Sequence, residues 1–525
     1  MKEQNEKSFS RGVFIMAGSL LFAKFLGFIY VMPFVRWVGN QGYVLYEYAY
    51  KPYTIMIMVA TMGIPGAVSK YVAKYNELEK SENIRGVFWL GICLAAVFGF
   101  ISFFILHFTS EYLAEILVGD GGEGNTVQEV TTAIKLMSFS LLIVPIVAFL
   151  RGFMQGHKEM TPTSISQITE QIVRVIIILA SSFFLVVVLH KEVELSIYVS
   201  ILGTAVASIS ALIVMTYFSR KKKIIPSRKE KSVPKKDVLK ELSVYVTPFI
   251  FVGASISIFQ TIDTFMINSN LMLKGFTLPE AENINAIVSL VLKLIFLPVT
   301  LATALSASLI PYITANYESG NVHSIRKNIS KSLFLNFFFV LPASVGFTLV
   351  SKPIFVTAFG MNSEFIAGDI LSWYGIMPIF LSLYTLTSSI LQGMNQIRWI
   401  IISLVLGFVL KIITNKPLIL MYDGVGTAFS NYIGFGAMIL LQGYIIQKEA
   451  KYSWLDGLGN IKKIITPCII LVFALAPIGV ISITIEVYST LIFIALGSIA
   501  LSGVIYFFLI RQNGALDLLL KEIKK

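Results

Sequence analysis

Apolar runs of about the length of a bilayer crossing recur from end to end of this chain of 525 residues. A helix needs about 20 apolar residues to cross the hydrocarbon core of a bilayer. Only 14% of the residues are charged, whereas soluble domains carry about 25%. The runs are also too continuously apolar for the alternating strands of a membrane barrel. The sequence therefore predicts an all-α polytopic membrane protein.

We predict about fourteen membrane-spanning helices from these runs. Their approximate limits are 12–37, 52–72, 87–108, 131–150, 164–189, 196–218, 242–269, 285–315, 332–352, 368–393, 399–415, 424–446, 464–485 and 488–510. The run at 399–415 is short, and Lys411 lies near its end. We therefore expect the Lys411 ammonium group to reach the nearby membrane surface.

The basic residues predict the orientation of the chain. If the N-terminus lies in the cytoplasm and the sides alternate, the inner segments hold 30 of the 42 Lys and Arg residues and the outer loops hold four. Lys and Arg concentrate on the cytoplasmic side of membrane proteins, so both termini are expected there. The outer segment 109–129 has five acidic residues and no Lys or Arg, and we expect a solvated linker.

The longest inner segment is polybasic and is interrupted by prolines. It reads SRKKKIIPSRKEKSVPKKD over residues 219–237. Such a segment is predicted to bind anionic lipid headgroups. No aromatic or folded element accompanies it, so a nucleic-acid partner is not expected.

Two short sequence matches indicate an internal repeat. LRGFMQ at 150–155 resembles LQGMNQ at 391–396, and AKYNE at 73–77 resembles ANYE at 315–318, with offsets of 241 and 242. Repeats of this kind are typical of transporters with a site near the bilayer midplane. We predict two homologous six-helix lobes and two extra C-terminal helices. The predicted domains are 1–220 (first lobe), 221–240 (cytoplasmic linker), 241–450 (second lobe) and 451–525 (last two spans and tail).

Four cations within or beside the apolar runs are candidate binding residues. A charge at the bilayer centre costs at least about 2.5–3.5 kcal/mol, so such residues face a cavity, pair or extend to the surface. Lys24 lies near the middle of the first span, and Arg36 lies at its outer end beside Trp37, where it could also be an interfacial anchor. Lys51 and Lys293 are separated by the repeat offset, which predicts equivalent positions in the two lobes.

Three further charged residues lie within predicted spans. Glu170 and Arg174 are four residues apart, a spacing that allows an ion pair on one helix face, with either a structural or a gating role. Asp263 is the buried acid of the seventh span, and either an ion-coupling role or pairing with a cation fits it. Because cations outnumber acids in the spans, the predicted cavity suits an anion such as phosphate or pyrophosphate.

Several catalytic and metal-binding patterns are absent from the sequence. It contains no Walker A pattern, HExxH, CxxC or GxSxG. Cys93 and Cys468 lie in apolar runs and indicate neither a disulfide framework nor a metal site. We therefore expect a protein that is not an enzyme and that has no resident cofactor or metal.

Three stretches carry a resemblance to a known family. They read LGFIYVMPFVRWVGNQGYVLYEYAYKPY, ATMGIPGAVSKYVAKYNE and LRGFMQGHKEMTPTSISQITEQIVRV. They resemble the polysaccharide-transporter branch of the multidrug/oligosaccharidyl-lipid/polysaccharide exporter superfamily, and more narrowly its MurJ-type lipid II flippases and SpoVB-like relatives. The resemblance implies a two-lobed transporter in the bacterial cell membrane with a central cationic cavity.

The resemblance also implies roles for individual residues. Lys24 and Lys293 match family arginines of the first and eighth spans, and Lys51 matches a basic position before the proline of the second span. Tyr30 stands where the family has a further arginine. Glu47 is the nearest candidate for the family's acidic residue, with a gating or ion-coupling role.

The sequence thus leads to a specific expectation with two alternatives. We expect a flippase that moves undecaprenyl-pyrophosphate-linked peptidoglycan precursor (lipid II) to the outer leaflet by alternating access. The membrane potential, Na⁺ or H⁺ would drive it, and we expect a monomer. The alternatives are a flippase for another undecaprenyl-linked oligosaccharide, such as a teichuronic or capsular unit, and a cation-coupled multidrug exporter.

Overall fold

The computed structural model describes residues 21–61, 64–78, 81–119, 124–222, 255–361 and 364–523, together with residues 16, 18, 19 and 224. Within these ranges the chain forms helices joined by short turns, and it forms no strand. The prediction of an all-α protein is confirmed. The polybasic segment 219–237 and the predicted linker 221–240 fall mostly outside the described residues.

Nineteen helices are present in the described part of the chain. They are α1 (21–29), α2 (Val31–Thr61), α3 (Ile64–Glu77), α4 (Ser81–Phe108), α5 (Ser110–Val118), α6 (Val127–Ser138), α7 (Val144–Gly156), α8 (Thr161–Ser182), α9 (Val193–Lys221), α10 (255–273), α11 (Leu278–Glu318), α12 (Val322–Leu349), α13 (Ser351–Phe359), α14 (Glu364–Tyr374), α15 (Met377–Gly393), α16 (Ile397–Ala450), α17 (Trp454–Ile483), α18 (Tyr488–Gln512) and α19 (Ala515–Ile523). A 3₁₀ turn, Phe139–Leu142, lies between α6 and α7, and a π-helical turn, Phe183–Val188, follows α8.

Eleven helical segments in the described residues are long and apolar enough to cross a membrane. One of them, α16, has 54 residues, or about 81 Å at 1.5 Å per residue, which exceeds a single crossing. Its backbone leaves the helical region at Tyr422 and Asp423, so α16 provides two spans. The predicted spans 12–37 and 242–269 begin outside the described residues, and the number fourteen stays a prediction.

The structure lengthens the eleventh predicted span. The helix continues from Ile397 past the expected end at residue 415 and reaches the break at Tyr422. Pro417 lies inside it and removes one backbone donor, which membrane helices tolerate when neighbouring groups satisfy the freed carbonyl. The predicted limits 399–415 were therefore too narrow.

The chain divides into two compact units. The first comprises Met1–Phe265 and Thr277–Glu282, and the second comprises Met266–Phe276 and Asn283–Lys525. Each unit is described by itself below. The predicted lobes 1–220 and 241–450, with the last two spans at 451–525, remain a prediction.

In the first unit, glycines of α7 allow close packing against α3. A Cβ atom on Gly152 would lie 2.4 Å from the Pro65 Cα atom, and one on Gly156 would lie 2.6 Å from the Val72 Cβ atom. Small residues spaced four apart let membrane helices approach closely. The RGFMQG motif is thus a packing motif of the first unit.

A glycine of the second unit has a similar packing position. Gly393 of α15 belongs to the repeated LQGMNQ stretch, and a Cβ atom there would lie 2.8 Å from the Ile313 Cβ atom near the end of α11. Gly152 and Gly393 are 241 residues apart, which is the repeat offset. Close packing at both glycines fits the predicted repeat, and the repeat itself stays a prediction.

The last helices of the second unit pack onto α12. Phe334 and Phe338 of α12 form a buried cluster with Ile464 and Cys468 of α17 and Ile510 of α18. The Tyr506 hydroxyl of α18 also donates to the Phe338 carbonyl at 2.8 Å. The two C-terminal spans are therefore an integral part of this unit.

The acidic outer segment 109–129 is more ordered than a solvated linker. Residues Ser110–Val118 form α5, whose buried face consists of Ser110, Ala114, Leu117 and Val118. These positions recur with the period of an amphipathic helix. The expectation of a solvated linker was wrong for this part of the segment.

Candidate functional site

A buried ion pair lies in α2 of the first unit. The Lys51 Nζ atom is 3.1 Å from Glu47 Oε2, one helical turn earlier, and it donates to Gln260 Oε1 of α10 at 3.2 Å. The Tyr43 hydroxyl donates to Glu47 Oε1 at 3.0 Å. Lys51 is 5% exposed and Glu47 is 0% exposed. The sequence identified both residues, and the structure shows that each is the partner of the other.

The bend of α2 helps to bury this pair. Gly39 has a φ of 70°, a conformation that favours glycine, and it separates a short first helix from a longer second one. The Phe34 ring of the first part lies 5.7 Å from the Tyr46 ring of the second part. Aromatic packing across the bend therefore covers the turn of helix that precedes Lys51.

A second charged group joins α7 and α8 and comprises Arg151, Glu170 and Arg174. Glu170 accepts from Arg151 Nη2 through Oε2 and from Arg174 Nη2 through Oε1, each at 2.7 Å. Ser166 Oγ accepts from Arg151 Nη2 at 2.9 Å. The predicted pair of Glu170 and Arg174 is confirmed. Arg151 was missed because helix spacing reveals partners on one helix and cannot reveal those on its neighbour.

Lys24 and Arg36 are exposed side chains of the first unit. Lys24 belongs to α1, and no hydrogen bond or ion pair joins it to a described side chain. The segment before α1 contacts α8 through Ser19 Oγ, which donates to Gln167 Oε1 at 3.4 Å. Lys24 is therefore an exposed cation without a described anionic partner. It lies in an otherwise apolar segment that contacts the helix carrying Glu170.

Asp263 and Lys293 fall in different units. Asp263 of α10 belongs to the first unit and is 1% exposed. Lys293 of α11 belongs to the second unit and is half-buried. A binding role for Lys293 and an ion-coupling role for Asp263 stay predictions.

Lys411 lies in a polar cluster of the second unit, and the expectation that it reaches the membrane surface was wrong. The side chain is 0% exposed. Its Nζ atom donates to Ser430 Oγ at 2.7 Å and to Asn415 Oδ1 at 3.2 Å. Ser430 in turn donates to Asn415 Oδ1 at 2.7 Å. The two halves of α16 fold together, and their oxygens hold the ammonium group inside the unit.

Two further buried polar groups were not anticipated. Gln442 of α16 accepts from Thr387 Oγ1 at 2.6 Å and donates to Ser403 Oγ at 2.8 Å. In the first unit, both carboxylate oxygens of Glu282 accept from Asn125, at 2.9 and 3.1 Å. A polar residue inside an apolar stretch of sequence is a candidate for a buried polar group, and this criterion could have identified both residues.

The charged groups of the first unit are ammonium, guanidinium and carboxylate side chains. Among the described residues, no group of three His, Cys, Asp or Glu side chains is arranged to hold a metal ion. Ammonium and guanidinium groups bind phosphate oxyanions well. In the first unit, Lys24 is exposed and has no described anionic partner, whereas Lys51, Arg151 and Arg174 are held by carboxylates.

Family models match most of the chain. The model described as "Polysaccharide biosynthesis protein" matches residues 9–316, and the MatE model matches residues 248–416. The first match covers more than half of the 525 residues. Both families were expected from the superfamily resemblance.

Comparison with individual proteins gives a narrower assignment than the family models do. The chain is 34% identical to the lipid II flippase MurJ of Bacillus subtilis (strain 168) over 453 residues, which are 85% of this chain and 83% of that protein. A solved structure of lipid II flippase MurJ in an inward closed conformation superposes with a TM-score of 0.65 at 16% identity, covering 95% of this chain and 97% of that one. An inward-facing multidrug resistance MATE family transporter gives a TM-score of 0.63 at 15% identity, covering 81% and 96%. These structural likenesses show a MurJ- and MATE-like transporter fold. The chain is thus a multi-pass membrane transporter that belongs to the polysaccharide biosynthesis protein family and, within it, to the family of the lipid II flippase MurJ.

Proposed function

We propose that this protein is a flippase that moves lipid II from the inner to the outer leaflet of the bacterial cell membrane. The observation that carries the proposal is the 34% identity to a lipid II flippase over 85% of the chain. The cations inside apolar spans support it, because a lipid-linked pyrophosphate brings negative charge into the membrane. The protein would be a transporter and not an enzyme.

Of the two lysines of the first unit that the sequence singles out, Lys24 would receive the pyrophosphate before Lys51. Lys24 is exposed, and no described side chain neutralises it. Lys51 is instead held by Glu47 and Gln260. It can bind a phosphate only after Glu47 releases it, so substrate binding in the first unit would exchange one anionic partner for another. In the second unit, Lys293 would add positive charge.

Replacement of Glu47 by the pyrophosphate as the partner of Lys51 would then lead to alternating access. A carboxylate that loses its lysine must be solvated, protonated or paired again, since an isolated buried charge is unfavourable. The side chains assigned to gating or ion coupling are Glu47, Glu170, Arg174 and Asp263. An inside-negative potential favours outward movement of an anion by about 2.3 kcal/mol per charge at 100 mV. The membrane potential, Na⁺ or H⁺ would supply the energy.

Two parts of the proposal concern the surroundings of the protein. The polybasic segment 219–237 would rest on anionic lipid headgroups of the cytoplasmic leaflet, with both termini on that side. The protein would act as a monomer, without a nucleic-acid partner.

A translocation assay with two lipids tests the substrate. Purified protein is placed in vesicles that contain either fluorescent lipid II or an undecaprenyl-pyrophosphate-linked capsular unit. Transfer to the opposite leaflet is followed with an imposed inside-negative potential. We expect transfer of lipid II, little transfer of the capsular lipid, and slower transfer by Lys293→Ala than by Lys416→Ala, whose side chain is exposed on α16.

The outcomes separate the alternatives. Transfer of the capsular lipid alone would keep the flippase and exclude lipid II as its substrate. Export of a cationic dye without transfer of either lipid would favour the multidrug exporter. Equal rates for the two lysine variants would remove Lys293 from the binding site.

A further inference from the structure

Two guanidinium groups of the first unit share a single carboxylate. Arg151 of α7 and Arg174 of α8 each place Nη2 at 2.7 Å from a different oxygen of Glu170. The three side chains retain 15–17% of their exposure. With two cations and one anion, the group has a net charge of +1.

One N–H donor of this group forms no hydrogen bond to a described atom. The Nε atom of Arg174 is buried and has no hydrogen-bond partner among the described atoms, although a guanidinium has five N–H donors in a planar fork. Among the described residues, Arg174 makes its ion pair with Glu170 and with no second carboxylate. Arg174 is therefore incompletely satisfied in a partly buried position.

A purely structural role explains the presence of Arg151 but not that of Arg174. The bond from Arg151 to Glu170 ties α7 to α8 and needs one arginine. Arg174 lies on the same helix as Glu170, four residues later, so its pairing connects no further element. A second charged side chain in a membrane helix is costly. The second arginine calls for an additional explanation.

In the orientation that the charge bias predicts, the group lies at the membrane depth at which a substrate from the inner leaflet would arrive. α8 begins at Thr161, so Glu170 is about 14 Å and Arg174 about 20 Å from its start at 1.5 Å per residue. The charge bias of the sequence assigns the turn before Thr161 to the cytoplasmic side. The group thus extends from near the inner surface towards the middle of a bilayer about 30 Å thick.

We propose that Arg151 and Arg174 form a phosphate-oxyanion site in the inner half of the first unit, and that Glu170 holds this site closed until the oxyanion displaces it. The proposal rests on the proposed function, since the oxyanion would be the pyrophosphate of the lipid substrate. A phosphate group offers several oxygens and a larger negative charge than a carboxylate, and guanidinium forks bind it in a bidentate manner. The site would receive the headgroup before it reaches Lys24 and Lys51.

Opposite effects of two substitutions test the site. Binding of inorganic pyrophosphate to the full chain in phosphatidylcholine nanodiscs is measured by calorimetry at low salt. Glu170→Gln releases both arginines, so we expect affinity to rise by about fivefold, and Arg174→Gln should lower it by about fivefold. A merely structural ion pair predicts no gain of affinity from Glu170→Gln.

The control is Glu159→Gln, which removes the same charge from the more exposed pair of Lys222 and Glu159 in the same unit. We expect its affinity to stay within about twofold of the wild type, because exposed pairs contribute little. If Glu170→Gln does not fold, Arg174→Lys keeps the charge and loses the planar fork, and affinity should fall by about threefold. Affinities of all variants equal to that of the wild type would overturn the proposal.

A second titration tests whether the bound phosphate belongs to a lipid headgroup. The same variants are titrated with undecaprenyl pyrophosphate in the nanodiscs, and we expect the same order of affinities. An effect confined to inorganic pyrophosphate would overturn the assignment to the lipid headgroup. If wild type transfers lipid II but the variants bind both probes equally, only this inference fails. If the order of affinities appears and lipid II is not transferred, the phosphate site stands and the proposed function fails.

Discussion

The Nζ atom of Lys51 lies 3.1 Å from Oε2 of Glu47, and both side chains are buried. The cation that the resemblance assigns to substrate binding is therefore neutralised by its own helix in this structure. If Lys51 binds the pyrophosphate as proposed, Glu47 would have to release it, and occupation of the site would be coupled to a rearrangement within α2.

Glu47→Gln should destabilise the protein by about 3–5 kcal/mol, because it leaves the buried Lys51 ammonium without its charged partner. The measurement is denaturant unfolding in detergent micelles. Adding Lys51→Met should recover part of the loss, since an apolar side chain of similar volume removes the unpaired charge. A double variant that is as unstable as the sum of the two single variants would show that the two residues do not interact.

Lys411→Met should lower the free energy of unfolding by about 1–3 kcal/mol, because it leaves the oxygens of Asn415 and Ser430 without the ammonium donor. Lys416→Met, on the same helix and exposed, should change it by less than about 0.5 kcal/mol. The two variants are compared by thermal unfolding in the same detergent. Equal effects would mean that Lys411 reaches the membrane surface after all.

Gly152→Ala and Gly393→Ala should each destabilise the protein by about 1–3 kcal/mol through overpacking. The added methyl group would meet the Pro65 backbone in the first unit and Ile313 in the second. Gly66→Ala is the control, because nothing lies within 4 Å of a Cβ atom there. A destabilisation by Gly66→Ala as large as that by Gly152→Ala would remove close packing as the reason for the repeated motif.

Hydropathy and spacing predict much of this architecture. The helical class follows from the apolar runs, and the pairing of Glu170 with Arg174 follows from their separation by one turn. The repeat offset relates Gly152 to Gly393, although the packing reason for these glycines appears only with their neighbours in place. Local periodicity thus accounts for what the sequence predicts correctly.

The failures have a common physical origin. Hydropathy indicates that a segment enters the membrane but leaves open which of its faces meets lipid and which meets other helices. Lys411 and Arg151 were therefore misjudged or missed, because their partners lie on other helices or beyond a bend. The burial of one face of α5 could have been found from the period of Ala114, Leu117 and Val118, which the acidic Glu115 between them obscured.

The most direct test of the account is the initial rate at which the wild type moves lipid II across vesicles with an inside-negative potential, compared with Lys24→Gln and with Lys191→Gln. Lys24 is an exposed cation of the first span, and Lys191 is exposed in the turn between α8 and α9. We predict transfer by the wild type and by Lys191→Gln, and a loss of at least about tenfold for Lys24→Gln, equivalent to about 1.4 kcal/mol. Failure of the folded wild type to move lipid II, or equal rates for the two variants, would contradict the central claim that membrane-embedded cations carry a lipid-linked pyrophosphate.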